Sequence, residues 1–175
     1  MPKYKKKQTS DMTYDEFKEK VSEIPESPRY SRQMRQALLT LLFFAGCRIS
    51  EALALTSDDI ICKGNTIYVH FFRLKNSKQT DDQQLPKVDA MNWICEQEGK
   101  LFPLSRTTAW RIVSGIWPNH YPHFFRQNRI VWISERFGDN TVYSTIGICA
   151  QSIDHYRAKI GIKKVGKAMW EEITE

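Results

Sequence analysis

The chain has 175 residues, of which 41% are hydrophobic and 26% charged, with a formal net charge of +6. This composition predicts one globular domain with its own core. The longest apolar run, at residues 41–47, is too short to span a bilayer, and no apolar segment follows the basic start MPKYKKK. We therefore expect neither a membrane span nor a secretory signal. The positive charge favours a polyanionic partner, nucleic acid ahead of an anionic membrane surface.

The four cysteines indicate neither a zinc site nor a secreted protein. Cys47, Cys62, Cys95 and Cys149 form no C-x-x-C pair and lie mostly among apolar residues. We therefore expect reduced, packed cysteines in a protein of the cytoplasm.

The first half of the chain begins with helices. Residues 1–12 are basic and polar and are expected to be flexible, so the folded domain would span residues 13–175. The sequence T-Y-D-E at residues 13–16 is a capping box that predicts a first helix. A second helix, rich in Leu and Phe, is predicted from about Ser31 to Ala45, ending at Gly46, and a short one follows Ser50.

The pattern then changes to strands and returns to helices. Lys63-Gly64-Asn65 predicts a hairpin turn between two strands, and a third strand would end near Leu85, before Pro86. Further helices are predicted over residues 88–98, after the N-cap Ser105, and in a segment that ends at Gly138. Shorter helices are predicted in NTVYSTIG, in QSIDHYRAK and in the tail. The predicted fold class is mainly α (α+β), with a small three-stranded antiparallel sheet near the N-terminal part.

Arg48 lies at the joint between two core-facing helices, in AGCRISEAL. It could be a core-edge arginine that snorkels or pairs with Glu51. Alternatively, its guanidinium is held there to bind an anion, because an unpaired buried charge costs several kcal/mol and a phosphate can supply the missing partner.

Other candidate residues have both an ordinary and a chemical interpretation. His123 and Arg126 lie three apart, so one helix face would carry a proton carrier and a phosphate clamp. Tyr156 is either a half-buried aromatic residue or a nucleophile, whose phenol, with a pKa of roughly 10, needs cations or a base to react. Lys75 and Lys78 lie on a solvated hairpin tip, or one of them is a general acid.

These motifs, taken in order, resemble the catalytic domain of the tyrosine recombinases, or phage-type integrases. The resemblance covers nearly the whole chain. The matching segments are the first arginine box AGCRISEALALTSDDI, the sheet GNTIYVHFFRLK, the stretch LFPLSRTTAWRIV, the second box YPHFFR and the tyrosine segment IDHYRAK.

The resemblance implies a site-specific recombinase that cleaves and rejoins duplex DNA through a 3′-phosphotyrosyl intermediate. Tyr156 would be the nucleophile, Arg48 and Arg126 the phosphate clamp, Lys75 the general acid and His123 a proton-transfer group. No cofactor, metal, membrane or small-molecule substrate is implied. The partner would be double-stranded DNA, bound by a homo-oligomer, a tetramer, in the cytoplasm of a host cell.

Three departures from the family pattern keep other hypotheses open. Ile148 occupies the position of a usual His or Trp, Lys78 competes with Lys75 for the hairpin position, and we expect the usual N-terminal helical domain to be absent. The alternatives are a type IB topoisomerase-like enzyme and a catalytically weakened accessory or regulatory DNA-binding protein derived from an integrase. The lone catalytic region and the motif spacing favour a mobile element, such as an archaeal virus.

Basic residues outside the site are expected to follow the DNA backbone. They are Lys5, Lys6, Lys7, Arg106, Arg111, Lys163 and Lys164.

Overall fold

The computed structural model describes residues 12–72, 80–118, 120–146 and 150–159, and the predictions for the N-terminal segment up to residue 11 and for a tail helix lie outside them. The predicted fold class, mainly helical with a small antiparallel sheet, is confirmed. The elements are α1 (Tyr14–Ser22), α2 (Arg32–Ala45), α3 (Ile49–Ala54), β1 (Ile60–Lys63), β2 (Thr66–Phe72), β3 (Thr80–Pro86), α4 (Asp89–Cys95), α5 (Arg106–Ile116), α6 (His123–Phe137), α7 (Asp139–Ile146) and α8 (Ala150–Lys159).

Local side-chain contacts fix the helix ends where the sequence places them. The Thr13 hydroxyl accepts from the Glu16 backbone N–H, and the Glu16 carboxylate accepts in return from the Thr13 backbone N–H at 2.9 Å. Ser31 and Ser105 each accept from the backbone N–H three residues later. Such bonds satisfy N–H groups that the helix itself leaves unpaired, which is why short polar residues stand at these positions.

The sheet has the order β1-β2-β3, with both pairs antiparallel. The predicted turn joins β1 to β2, and Gly64 in it has a φ of 54°, a conformation that residues with a side chain rarely adopt. β2 alternates between the core and the surface, and its inward side chains Ile67, Val69 and Phe71 are buried. The sheet is thereby attached to the helices through one face.

The main core surrounds α2, whose residues from 37 to 42 are all buried. α2 packs against α4 and α6. α6 enters this core with Phe124 and Phe125, whereas its second half belongs to a smaller cluster with α7 and α8. α6 thus connects the core to the last helices. None of the helices in the described part of the chain is long and apolar enough to cross a bilayer.

The prediction that the cysteines are reduced is wrong for two of them. Cys62 of β1 and Cys95 at the end of α4 form a disulfide across 33 residues of sequence, with their Cα atoms 6.0 Å apart. β1 packs against α4, and this packing brings together two residues that no sequence spacing relates. Cys47 is free and buried, and Cys149 lies outside the described residues.

Candidate active site

Two helix ends fix the backbone around Arg48. α2 ends at Gly46, which has a left-handed conformation with φ 57° and ψ 25° and donates its N–H to the Leu42 carbonyl at 3.1 Å. Arg48 is the N-cap residue of α3, with φ −73° and ψ 149°. Because only Cys47 separates these two ends, packing of either helix sets the position of Arg48.

Glu51 holds the Arg48 side chain in place. Its fully buried carboxylate accepts hydrogen bonds from Arg48 Nη1 and from the Arg48 backbone N–H, both at 2.7 Å. The alternative in which Arg48 pairs with Glu51 is therefore the one observed. Among the described residues, Nη1 is the only nitrogen of this guanidinium with a hydrogen-bond partner, and the side chain is 34% exposed. The carboxylate thus neutralises and orients the guanidinium and leaves its other N–H groups able to bind an anion.

Arg126 meets the same joint from the other side. It lies one turn after His123 on α6 and donates from Nη1 to the Gly46 carbonyl at 2.7 Å. Gly46 and Arg126 are 80 residues apart in sequence. Both arginines are therefore held at one three-residue stretch, Arg48 by the chain itself and Arg126 by a hydrogen bond to it.

Tyr156 contacts the first residue of α6. Its Oη lies 3.3 Å from His123 Nε2, and the two ring centroids are 5.7 Å apart. Tyr156 packs against the small cluster that holds α8 to α6, in which Ile153, one turn earlier, is fully buried. The contact has the geometry in which a neutral imidazole nitrogen accepts the phenol proton.

Four of the five predicted site residues are thus connected, partly by contacts and partly by their places in the chain. The links run from Arg48 through Gly46 to Arg126, along α6 to His123, and on to Tyr156. Lys75, its competitor Lys78 and Ile148 lie outside the described residues. The catalytic roles of these residues remain predictions.

Arg126 is more deeply buried than is expected of a group that binds a phosphate without any rearrangement. Only 1% of its surface is exposed. A phosphate can reach this guanidinium only after neighbouring groups move apart. In the described arrangement the Arg126 guanidinium is thus not open to an incoming phosphate.

Among the described residues near the site, sequence reasoning missed the contact made by Gly46, which it named only as a helix end, and missed Arg129 altogether. The Gly46 carbonyl carries no sequence signal, because its partner is 80 residues away. Arg129 lies one turn after Arg126, with its guanidinium 4.6 Å from the centre of the Trp132 ring, and burial lowers the pKa of Arg129. Arg129 lies three residues after Arg126, and this helical spacing could have indicated that the two side chains share one face of α6. Of the expected backbone-binding residues, Arg106 and Arg111 are exposed on α5, and the lysines lie outside the described ranges.

No protein-family model matches the chain, and no curated protein does. Solved structures do match. The XerH site-specific recombinase bound to difH substrate, in a pre-cleavage complex, superposes with a TM-score of 0.69 at 16% identity, over 93% of this chain and 53% of that one. The chain has the tyrosine recombinase catalytic-domain fold.

Two other structures with this fold are similar over almost the whole chain. The Tn1549 transposon integrase in complex with circular intermediate DNA gives a TM-score of 0.59 at 12% identity, over 98% of this chain and 67% of that one. The XerA recombinase gives 0.57 at 16% identity, over 96% and 65%. The chain spans about half the length of the XerH chain. At such identities the likeness concerns the recombinase fold alone.

Proposed function

We propose that this protein is a site-specific DNA recombinase or integrase that cleaves and rejoins duplex DNA through a 3′-phosphotyrosyl intermediate. The observation that carries the proposal is the contact between Tyr156 Oη and His123 Nε2, on the helix whose next turn bears Arg126. A phenol beside a proton acceptor and a guanidinium is equipped to attack a phosphodiester. DNA-bound recombinases among the similar structures support duplex DNA as the partner.

In the proposed first step, Tyr156 Oη forms a bond to the scissile phosphorus. The phenol proton passes to His123, and the bond between phosphorus and the 5′-oxygen breaks. Lys75 protonates the leaving oxygen, which becomes a free 5′-hydroxyl. A 5′-hydroxyl from a partner strand then attacks the phosphotyrosine in the reverse sense, so the energy of the broken phosphodiester is retained in the enzyme–DNA bond.

Arg48 and Arg126 stabilise the negative charge of the transition state. Negative charge grows on the non-bridging oxygens as the fifth bond forms, and preorganised guanidinium donors stabilise it. Removing one donor of this kind costs about 3–4 kcal/mol of barrier, or roughly a hundredfold to a thousandfold in rate. Glu51 and Gly46 already hold one nitrogen of each guanidinium, so the two groups need little reorientation once the phosphate has reached them.

A nicked duplex that loses its 5′ fragment after cleavage tests the proposal, because rejoining is then prevented and the covalent adduct accumulates. We expect the wild-type protein to form an adduct that survives denaturing electrophoresis, and Tyr156→Phe to form none. Tyr143→Phe is the matched control, since Tyr143 is 65% exposed on α7. An adduct with Tyr156→Phe, or none with the wild type on duplexes that it binds, contradicts the proposal.

A DNA-binding accessory protein without catalysis is the second candidate, favoured by the near-complete burial of Arg126. Such a protein binds duplex DNA and yields no adduct. A topoisomerase-like enzyme forms the adduct and also relaxes a supercoiled plasmid that lacks any recombination site. The adduct assay and the relaxation assay together separate the three activities.

A further inference from the structure

We infer that Gly46 is a positioning residue that sets both arginines of the candidate site through its backbone alone. The inference rests on the proposed function and names a residue whose side chain takes no part in the reaction. Three features support it: the hydrogen bond made by its carbonyl, its place in the chain, and the space around its Cα.

The Gly46 carbonyl locates Arg126. Its oxygen accepts from Arg126 Nη1 at 2.7 Å in a buried setting, so it holds one edge of the guanidinium plane. A guanidinium is planar and rigid, and fixing one nitrogen strongly restricts where its other N–H groups point. The same peptide bond leads within two residues to Arg48. A shift of this carbonyl relative to α6 therefore changes the spacing of the two guanidinium groups.

The close approach of Gly46 to α6 leaves no room for a side chain. A Cβ atom on Gly46 would lie 2.7 Å from Arg129 Cβ and 2.8 Å from Arg129 Cγ, which is closer than real Cβ atoms approach. These two atoms are the stem of Arg129, next to the helix backbone. The Arg129 guanidinium is in turn stacked 4.6 Å from the centre of the Trp132 ring. The stem cannot swing aside without losing that contact.

A side chain at residue 46 would consequently push the end of α2 away from α6. The hydrogen bond from Arg126 to the carbonyl would lengthen, and the guanidinium would leave the position in which it meets the developing charge. A displacement of about 1 Å in a positioned catalytic group can lower a rate by about a hundredfold. Binding of DNA outside the site depends on other residues and would change little.

Gly64→Ala is a matched control for Gly46→Ala. Both glycines have a positive φ of nearly the same size, 57° at Gly46 and 54° at Gly64, so an alanine is strained at either position. A Cβ on Gly64 meets nothing within 4 Å, and Gly64 lies in the turn between β1 and β2. The two variants thus share the conformational strain and differ in the contact with Arg129.

The experiment measures single-turnover adduct formation on two nicked duplexes. One has an ordinary scissile phosphate, and the other carries a methyl group in place of one non-bridging oxygen, which removes the charge that the arginines stabilise. We expect Gly46→Ala to be slower by about a hundredfold on the ordinary duplex, with only a small fraction of that loss on the methylated one. Gly64→Ala should match the wild type on both, and DNA affinity should be unchanged.

A second variant covers the case in which Gly46→Ala does not fold. In Gly46→Ala/Arg129→Gly the new methyl group occupies the space that the arginine stem vacated, so folding and cleavage should recover relative to Gly46→Ala. Equal losses on the two duplexes, a rate like that of Gly64→Ala, or a folded double variant that stays slow on both duplexes would each overturn the positioning role. Absence of any adduct with the wild type removes the proposed function, and this inference falls with it.

Discussion

Glu51 is a carboxylate with no exposed surface beside an arginine that is one-third exposed. A buried carboxylate is costly unless it is fully hydrogen-bonded, and Glu51 is bonded to both the backbone and the side chain of Arg48. The pair therefore serves two purposes. It closes the first turn of α3, and it prevents Arg48 from swinging out into solvent.

Glu51→Gln tests the strength of this pair. The amide keeps an acceptor for the Arg48 backbone N–H but removes the negative charge, so we expect the free energy of unfolding to fall by about 1–3 kcal/mol. Urea denaturation measures the change. Glu26→Gln is the control, because Glu26 pairs with Arg32 at 3.2 Å on an exposed surface and its loss should cost less than about 1 kcal/mol. Equal effects of the two substitutions would show that burial of Glu51 contributes nothing.

Elements defined by local chemistry were predicted well, and those that depend on tertiary contacts were not. Thr13, Ser31, Ser105 and Gly138 mark helix ends through bonds to residues at most four positions away, and such signals are present in the sequence itself. The hydrogen bond between Gly46 and Arg126 joins residues 80 apart. No pattern of spacing reports a contact of that range, because it exists only after α2 and α6 have packed.

In the candidate site, too, motif residues could be predicted from the sequence, whereas their tertiary contacts could not. Arg48, His123, Arg126 and Tyr156 were predicted from motifs; the structure brings Tyr156 to His123 and Arg126 to Gly46, two residues before Arg48, and the catalytic roles stay predictions. Glu51 was named only as one of two alternatives for Arg48. The sequence could not decide between them, since it contains the residue types but not their burial.

The disulfide between β1 and α4 is expected to stabilise the packing of these two elements. The inward residues of β1, Ile60 and Cys62, are only partly buried, so this edge strand has little apolar anchorage. The cross-link closes a loop of 33 residues. A constraint of this length on the unfolded chain contributes about 3–4 kcal/mol to stability.

We therefore expect Cys62→Ser to lower the free energy of unfolding by about 3–4 kcal/mol in the absence of reductant. Urea denaturation with and without dithiothreitol provides the measurement. The reductant should destabilise the wild type and leave Cys62→Ser unchanged, because the variant has no cross-link to lose. Alkylation of both Cys62 and Cys95 in the folded, non-reduced protein would contradict the expectation.

The two halves of α6 belong to hydrophobic clusters of different size, so the described fold is not packed equally well throughout. His123 and Arg126 lie in the half that enters the main core, whereas Tyr156 is held through a cluster of five buried residues, Ile130, Ile133, Val142, Ile146 and Ile153. Segments with fewer buried apolar contacts open locally at lower cost. Among the described residues, Tyr156 thus lies on a part of the fold that opens at lower cost than the part that holds Arg126.

The surface charge of the whole protein predicts a salt-dependent association with duplex DNA. Each phosphate contact made by a lysine or arginine releases counterions, so Arg106→Gln and Arg111→Gln should each reduce the slope of log affinity against log salt by about one. Fluorescence anisotropy with a labelled duplex measures this slope. Arg32→Gln is the control, because Arg32 is already paired with Glu26. A slope near zero for the wild type contradicts a DNA partner.

The depth of Arg126 has a consequence for selectivity among anions. Inorganic phosphate and sulfate are small and bring little binding energy, so they cannot offset the separation of packed groups that exposure of a 99%-enclosed side chain requires. A long polymer makes many contacts elsewhere on the surface at the same time, and their combined energy is available to open the pocket. Millimolar phosphate or sulfate would then leave the resting protein unoccupied, and only a ligand of sufficient length would gain access to Arg126.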